Sequence, residues 1–117
     1  MSSPHQTGDI RITAYAVGQL HEVEMCADIV QYLEAIDATL APFDGHFIIH
    51  GERPEMREGE WKGDLIVIAF PDLAQVRAWY ESDAYQRILP LRTKHASSAV
   101  FFIDGVDRDH KATDILT

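Results

Sequence analysis

Tyr85 and Arg92 stand seven residues apart, two turns of an α-helix, so a continuous helix sets both on one face with Ile88 and Leu89 between them. A guanidinium then sits at the rim of an apolar wall. Its planar fork suits a carboxylate, which makes Arg92 a candidate for orienting an acidic or enolisable small molecule. The competing account is an ion pair with one of the many carboxylates of this chain. Trp79 and Tyr80 are adjacent and point about 100° apart in a helix, so they cannot share one narrow stripe. One belongs to the core and the other is placed to line a cavity, Tyr adding a polar handle to an apolar wall, unless both serve only packing. Tyr15, in the first strand, completes the candidate substrate-binding set of Tyr15, Trp79, Tyr80, Tyr85 and Arg92.

His50 and His95 are the candidate catalytic residues, because imidazole titrates near neutral pH and can act as a general base. His46 and His50 alternate with Ile48 and are expected on one strand face. Four residues of strand span ~13 Å, too far for two imidazoles on one ion, so no metal site is expected there. His50 alone is either a base or a half-buried structural His. His95 follows Arg92 by three residues and either shares its neighbourhood or ends the helix near the negative pole of its dipole. His5, His21 and His110 lie in polar stretches and suggest nothing. Ser82 reads as a helix cap, since no Gly-x-Ser-x-Gly elbow surrounds it. Gly-x-Gly-x-x-Gly, Walker, Cys-x-x-Cys and His-Glu-x-x-His patterns are all missing, and no cofactor is expected.

The elements that must position these groups follow from period and punctuation. Ile10 to Val17 alternates and predicts the first strand. Cys26, Ile29, Val30, Leu33, Ile36 and Leu40 step by three or four and predict one stripe of a helix over Glu22 to Leu40, stopped by Pro42. Asp44-Gly45 turns the chain into His46-Phe47-Ile48-Ile49-His50, the second strand. The charged Gly51 to Gly63 connection reads as a solvated hairpin, with a lid over a cavity as the alternative, and leads into a third strand from Leu65 to Phe70. Asp72, with Gln75 three residues on, resembles a capping box and opens a helix whose buried side carries Leu73, Val76 and Tyr80. Ser82-Asp83 offers a second cap, and Pro90 should kink or split the segment that follows. Ala99 to Ile103 is the fourth strand. The order is β-α-β-β-α-β, an α+β ferredoxin-like arrangement in which a four-stranded antiparallel sheet carries both helices on one face.

With 117 residues, 46% hydrophobic and 25% charged, the chain fits one globular domain. Residues 1–9 read as a flexible N-terminal leader, 10–106 as the domain and 107–117 as a polar C-terminal tail. Ten Lys and Arg against nineteen Asp and Glu leave a net charge of −9, which repels phosphate backbones and anionic lipid, so neither nucleic acid nor membrane is an expected partner. Cys26 has no second Cys to pair with and reads as a small buried hydrophobe. The first residues have neither a basic region nor an apolar run, and no stretch approaches the ~20 apolar residues of a membrane helix, so a cytoplasmic location is expected.

Strand three offers Leu65, Val67 and Ala69 on one side and Ile66, Ile68 and Phe70 on the other, and strand four does the same with Phe101 and Ile103 against Val100 and Phe102. Leaving four or five such groups wet would forgo on the order of 10 kcal/mol, comparable with the net stability of a domain. The economical cover is a second copy, sheet to sheet, and an obligate homodimer is predicted.

Gly45-His46-Phe47, Glu58-Gly59-Glu60-Trp61, Phe70-Pro71, Asp104-Gly105-Val106 and above all Trp79-Tyr80-Glu81-Ser82-Asp83-Ala84-Tyr85-Gln86 followed by Arg92 resemble the uncharacterised domain family numbered 1330, within the dimeric α/β barrel superfamily. The resemblance covers roughly residues 11 to 106. It implies a ferredoxin-like protomer in a sheet-to-sheet dimer, in a superfamily of cofactor-free monooxygenases, isomerases of small ring compounds, haem-binding enzymes and non-enzymatic ligand sensors. This chain departs from the family in lacking a Lys-Gly-Tyr opening to its first strand and in carrying Pro90. Fold does not choose among those activities. The expectation is a small-molecule-binding homodimer, with cofactor-independent proton transfer or oxygenation on a small organic acid or aromatic. A non-catalytic ligand-binding or structural homodimer is the alternative. The pocket is expected between the sheet and the second helical segment.

Overall fold

A computed structural model describes residues 12–116 of the chain. The leader at 1–9 and the opening of the expected first strand at Ile10 and Arg11 lie outside the described residues. The elements are β1 (Ala14–His21), α1 (Ala27–Leu40), a 3-10 turn (Ala41–Phe43), β2 (His46–His50), β3 (Asp64–Phe70), α2 (Leu73–Glu81), α3 (Asp83–Thr93), β4 (Ser97–Asp104) and a final 3-10 turn (Ala112–Leu116). The four strands are ordered β2-β3-β1-β4 with every neighbouring pair antiparallel, a ferredoxin-like α+β sheet.

Local chemistry sets the boundaries. β1 runs on to His21, and Glu22 then takes a left-handed backbone (φ 55°) that no helix can continue, so α1 starts at Ala27 rather than at Glu22. Pro42 sits in the first turn of the 3-10 segment and ends α1 as expected. Asp72 accepts from the Gln75 amide at 2.9 Å and Ser82 from the Tyr85 amide at 3.2 Å, so both caps form. Pro90 does not split its helix. α3 runs through it unbroken, and the break falls instead at Ser82, whose backbone is extended. Pro90 and Gln86 are both exposed, so the Gln86 carbonyl that loses its helical amide partner faces water.

α1 buries Ile29, Ile36 and Leu40 of the expected stripe, leaves Cys26 half-buried, and is rotated so that Tyr32 and Thr39 replace Val30 and Leu33. Its buried residues are Ile29, Tyr32, Ile36, Thr39 and Leu40, while Val30 and Leu33 are exposed at 45% and 43%. The sheet buries Ala14 and Ala16 of β1 and Ile68 and Phe70 of β3 against α1, Val76 and Trp79 of α2, and Tyr85 of α3. Gly45 is required where it stands, because a Cβ there would come within 2.6 Å of the Phe70 ring. On the opposite side of the sheet no described element covers Phe101 and Ile103, which are 52% and 50% exposed.

His46 and His50 do not share a face. The β2–β3 register shifts between Phe47 and Ile49, so His46 pairs with Ala69 and His50 with Ile66, residues on opposite sides of β3. A one-residue bulge reverses every side chain beyond it, and strict alternation from His46 cannot anticipate that.

Candidate functional site

Between the helix-covered side of the sheet and helices α1 and α3 lies a cavity of about 100 Å³. Small residues of β1 make its floor: Ala16 and Gly18 stand where larger side chains would reach the helices. Ile66 and Ile68 of β3, Ile29 and Ile36 of α1 and the Trp79 ring supply apolar walls. Against this background one polar cluster is set, made of Tyr32 from α1 and Tyr85 and Arg92 from α3.

The two phenols share a hydrogen bond of 2.7 Å between their hydroxyl oxygens. The Arg92 guanidinium lies 5.7 Å from the Tyr32 ring centre, interacts with both phenols and donates from Nη1 to Ser98 Oγ at 2.6 Å. Burial, reinforced by Tyr85, raises the Tyr32 phenol far above its ordinary value and keeps it protonated. Burial pulls the Arg92 guanidinium down, but the Tyr85 and Tyr32 phenols more than offset this and it stays charged. Arg92 is only 5% exposed, and among the described residues no carboxylate stands within ion-pair distance of it. The ion pair offered as the alternative for Arg92 is therefore not formed. Desolvating a cation without a counter-charge is expensive, and here only hydroxyl oxygens and a ring face compensate.

The other sequence candidates distribute unevenly. Trp79 both lines the cavity and anchors it: its indole N–H donates to Thr39 Oγ1 at 3.0 Å, and its ring lies 4.2 Å from that of Tyr85. Tyr80 packs on Phe102 (5.4 Å) and Tyr85 (5.3 Å) outside the cavity lining. Tyr15 pairs with Ala69 and Ile103 on the far face, so the sheet separates it from the cavity. His50 reaches the cavity rim with its ring stacked 4.3 Å from Phe47.

His95 does not share the Arg92 neighbourhood in the way its spacing suggested. Its Nδ1 meets Glu24 Oε1 at 3.2 Å and its Nε2 meets Asp28 Oδ2 at 3.0 Å, so both ring nitrogens are engaged outside the cavity. Those contacts, Asp28 first and Glu24 second, raise its pKa. Among the described residues no three His, Cys, Asp or Glu side chains converge to hold a metal ion.

Tyr32, Ser98 and Gly18 were not singled out by sequence reasoning. Tyr32 had a signal, since Ile29, Tyr32, Ile36 and Thr39 form a helical stripe as regular as the one through Val30 and Leu33. A glycine at the centre of a strand is likewise a mark of close approach or of space kept open. Ser98 had none, because its pairing with Arg92 depends on how α3 returns to β4.

Residues 13–106 match the model of a domain of unknown function, DUF1330. No curated relative matches the chain. Among solved structures, the chain is similar to a protein of unknown function from Rhodopseudomonas palustris, at 10% identity and TM-score 0.62, covering 92% of this chain and 96% of that one. It is also similar to a dimeric ferredoxin-like protein of unknown function from Jannaschia sp. CCS1, at 19% identity and TM-score 0.59, over 80% of this chain and 99% of that one. A third, from Thermobifida fusca and likewise described as dimeric and ferredoxin-like, gives 11% identity and TM-score 0.56 over 81% and 92%. These likenesses establish the fold.

Proposed function

The chain belongs to the DUF1330 family of domains of unknown function, and from that premise we propose that it is a small-molecule-binding homodimer whose ligand occupies the cavity beneath α1 and α3. One observation carries this reading: an apolar cavity at one end of which a buried guanidinium and two phenols meet without a carboxylate. Apolar walls with a few convergent polar groups are the ordinary design of a ligand site. The dimer reading is supported by the half-exposed Phe101 and Ile103 and by the dimeric description of the Jannaschia and Thermobifida proteins. In that arrangement the far sheet faces pair and the two cavities open away from the interface. No described helix is long and apolar enough to cross a membrane, and a cytoplasmic location is part of this proposal.

A thermal-shift screen of aromatic and short-chain organic acids tests the proposal. A ligand at a hundred times its Kd adds about 2.7 kcal/mol to stability, whatever its chemistry. Saturating candidates that never move the transition would reject the cavity as a ligand site.

A second reading, cofactor-independent proton transfer or oxygenation, draws on His50 at the rim of the same cavity. An imidazole on one wall and a cationic cluster on another have the roles of a base and an enolate stabiliser. Incorporation of solvent deuterium at the carbon next to a bound carboxylate or ketone, abolished in His50→Ala with binding retained, would establish it. Binding without exchange leaves the non-catalytic ligand-binding dimer as the function.

A further inference from the structure

Resting on the cavity as the ligand site, we infer that its ligand is the singly charged anion of a short apolar monocarboxylic acid, held by Arg92, Tyr32 and Tyr85. The hydrogen-bond inventory of the cluster leads there. Arg brings five N–H donors and no acceptor, and each Tyr hydroxyl brings one donor. The two phenols use one O–H between them, Ser98 Oγ takes one guanidinium N–H, and the Tyr85 and Tyr32 oxygens take two more. Protons remain in excess, and no carboxylate of the described residues answers them. A ligand completes this site by supplying acceptor oxygens and a negative charge, which a carboxylate does with two oxygens at the spacing of the guanidinium fork. An amine or ammonium group would add donors to donors and a charge to a like charge.

The rest of the cavity limits the remainder of the molecule. Inside the rim, where the His50 ring stacks on Phe47, Ile29, Ile36, Ile66 and Ile68 offer nothing to a second charge, so a dicarboxylate or a phosphate dianion held within the cavity would carry one charge into an apolar wall. The net charge of −9 disfavours dianions further, by long-range repulsion. A volume of about 100 Å³ is smaller than the ~150 Å³ engineered cavity that holds benzene, which allows an apolar part of about three to five carbon atoms.

Trp79 reports occupancy from within. Trp61, on the β2–β3 connection and 39% exposed, is the only other indole, so Trp61→Phe leaves Trp79 as the sole indole, excited selectively at wavelengths where tyrosine does not absorb. Titrating that protein with butanoate, butanamide, butylammonium and succinate separates the outcomes. Butanoate is expected to bind at least tenfold more tightly than each of the other three, and Arg92→Met to remove the advantage over butanamide. Equal binding of butanoate and butanamide, tighter binding of succinate, or a preference untouched by Arg92→Met would overturn the anion assignment while the cavity reading stands. If none of the four binds, the cavity reading itself falls and takes this inference with it. The ligand series on the otherwise unsubstituted pocket decides the matter even if Arg92→Met does not fold, and Tyr85→Phe, expected to weaken butanoate about threefold to tenfold with butanamide unchanged, provides the independent variant.

Discussion

The two faces of the sheet are built from the same strands and behave differently. Along β1 the helix-covered face reads Ala14, Ala16, Gly18, and the far face reads Tyr15, Val17, Gln19. Small residues on the first face let aromatic side chains from α1, α2 and α3 descend onto the sheet, where Trp79, Tyr85 and Phe70 interlock and Gly18 leaves room for a cavity. On the second face Tyr15 and Val17 stand beside Val67, Phe101 and Ile103, and of these Phe101 and Ile103 are half-exposed. Residue size, more than hydrophobicity, separates the face that receives other parts of its own chain from the face that the described elements leave half-exposed.

Truncating one aromatic side chain on each face breaks that comparison most directly. Trp79→Ala removes a residue 2% exposed that touches Phe70, Tyr80 and Tyr85, and is expected to cost about 3–5 kcal/mol in a denaturant titration. Phe101→Asp should leave the protomer folded and act on association instead. Losing one large apolar contact in each copy, at about 1.5–3 kcal/mol per side chain, weakens a twofold dimer at least about a hundredfold, readable by sedimentation. If Trp79→Ala proves harmless, the packing account of the covered face is wrong. If the unsubstituted protein is a monomer at micromolar concentration, or Phe101→Asp does not change its mass, the far face is not a dimer interface.

Much of the covered face could be read in advance, and the reasons are local. Asp72 and Ser82 cap because their side chains reach amides three residues away, and Tyr85 aligns with Arg92 because seven residues are two helical turns. What could not be read depends on contacts between distant segments. The bulge that turns His50 away from His46 is fixed by how β2 meets β3. The rotation of α1 that buries Tyr32 and exposes Val30 and Leu33 is set by the need to lie over Ala16 and to meet Tyr85. Tyr15 has the chemistry of a pocket residue and falls on the wrong side of the sheet, because the register places Ala14 and Ala16 inward.

Gly18→Val sharpens the contrast more gently, by giving the covered face the kind of residue the far face carries. A Cβ at Gly18 meets nothing closer than 3.5 Å, ordinary van der Waals contact, and the backbone there does not need glycine. A β-branched residue favours a strand interior, so stability should hold or rise. The added methyl groups would occupy the cavity floor, and ligand affinity is expected to fall at least about tenfold by Trp79 fluorescence (a difference of about 1.4 kcal/mol). Unchanged affinity would mean that ligand sits elsewhere.

The smallest effect is expected at the edge of the covered face, where His95 joins the α3–β4 turn to the start of α1. Its ring meets Asp28 and Glu24, and its carbonyl accepts from the Glu24 amide at 2.7 Å. Ser97 donates to Glu22 alongside, so the charged groups gathered there are mostly acidic, with Lys94 the neighbouring cation in the chain. Because Asp28 and Glu24 raise the His95 pKa above its unfolded value of about 6.5, folding favours the protonated ring. The stabilisation is therefore complete below about pH 6.5 and is lost as pH rises through the folded value. His95→Gln keeps a side chain that can hydrogen-bond but cannot charge. The difference in melting temperature between the native protein and this variant should be largest near pH 6 and close to nothing by pH 9, and it should shrink with added salt, since the pair faces solvent. A difference that stays constant across that range would assign His95 a packing role, and one that grows with pH would reverse the charge assignment of the Glu24–His95–Asp28 bridge.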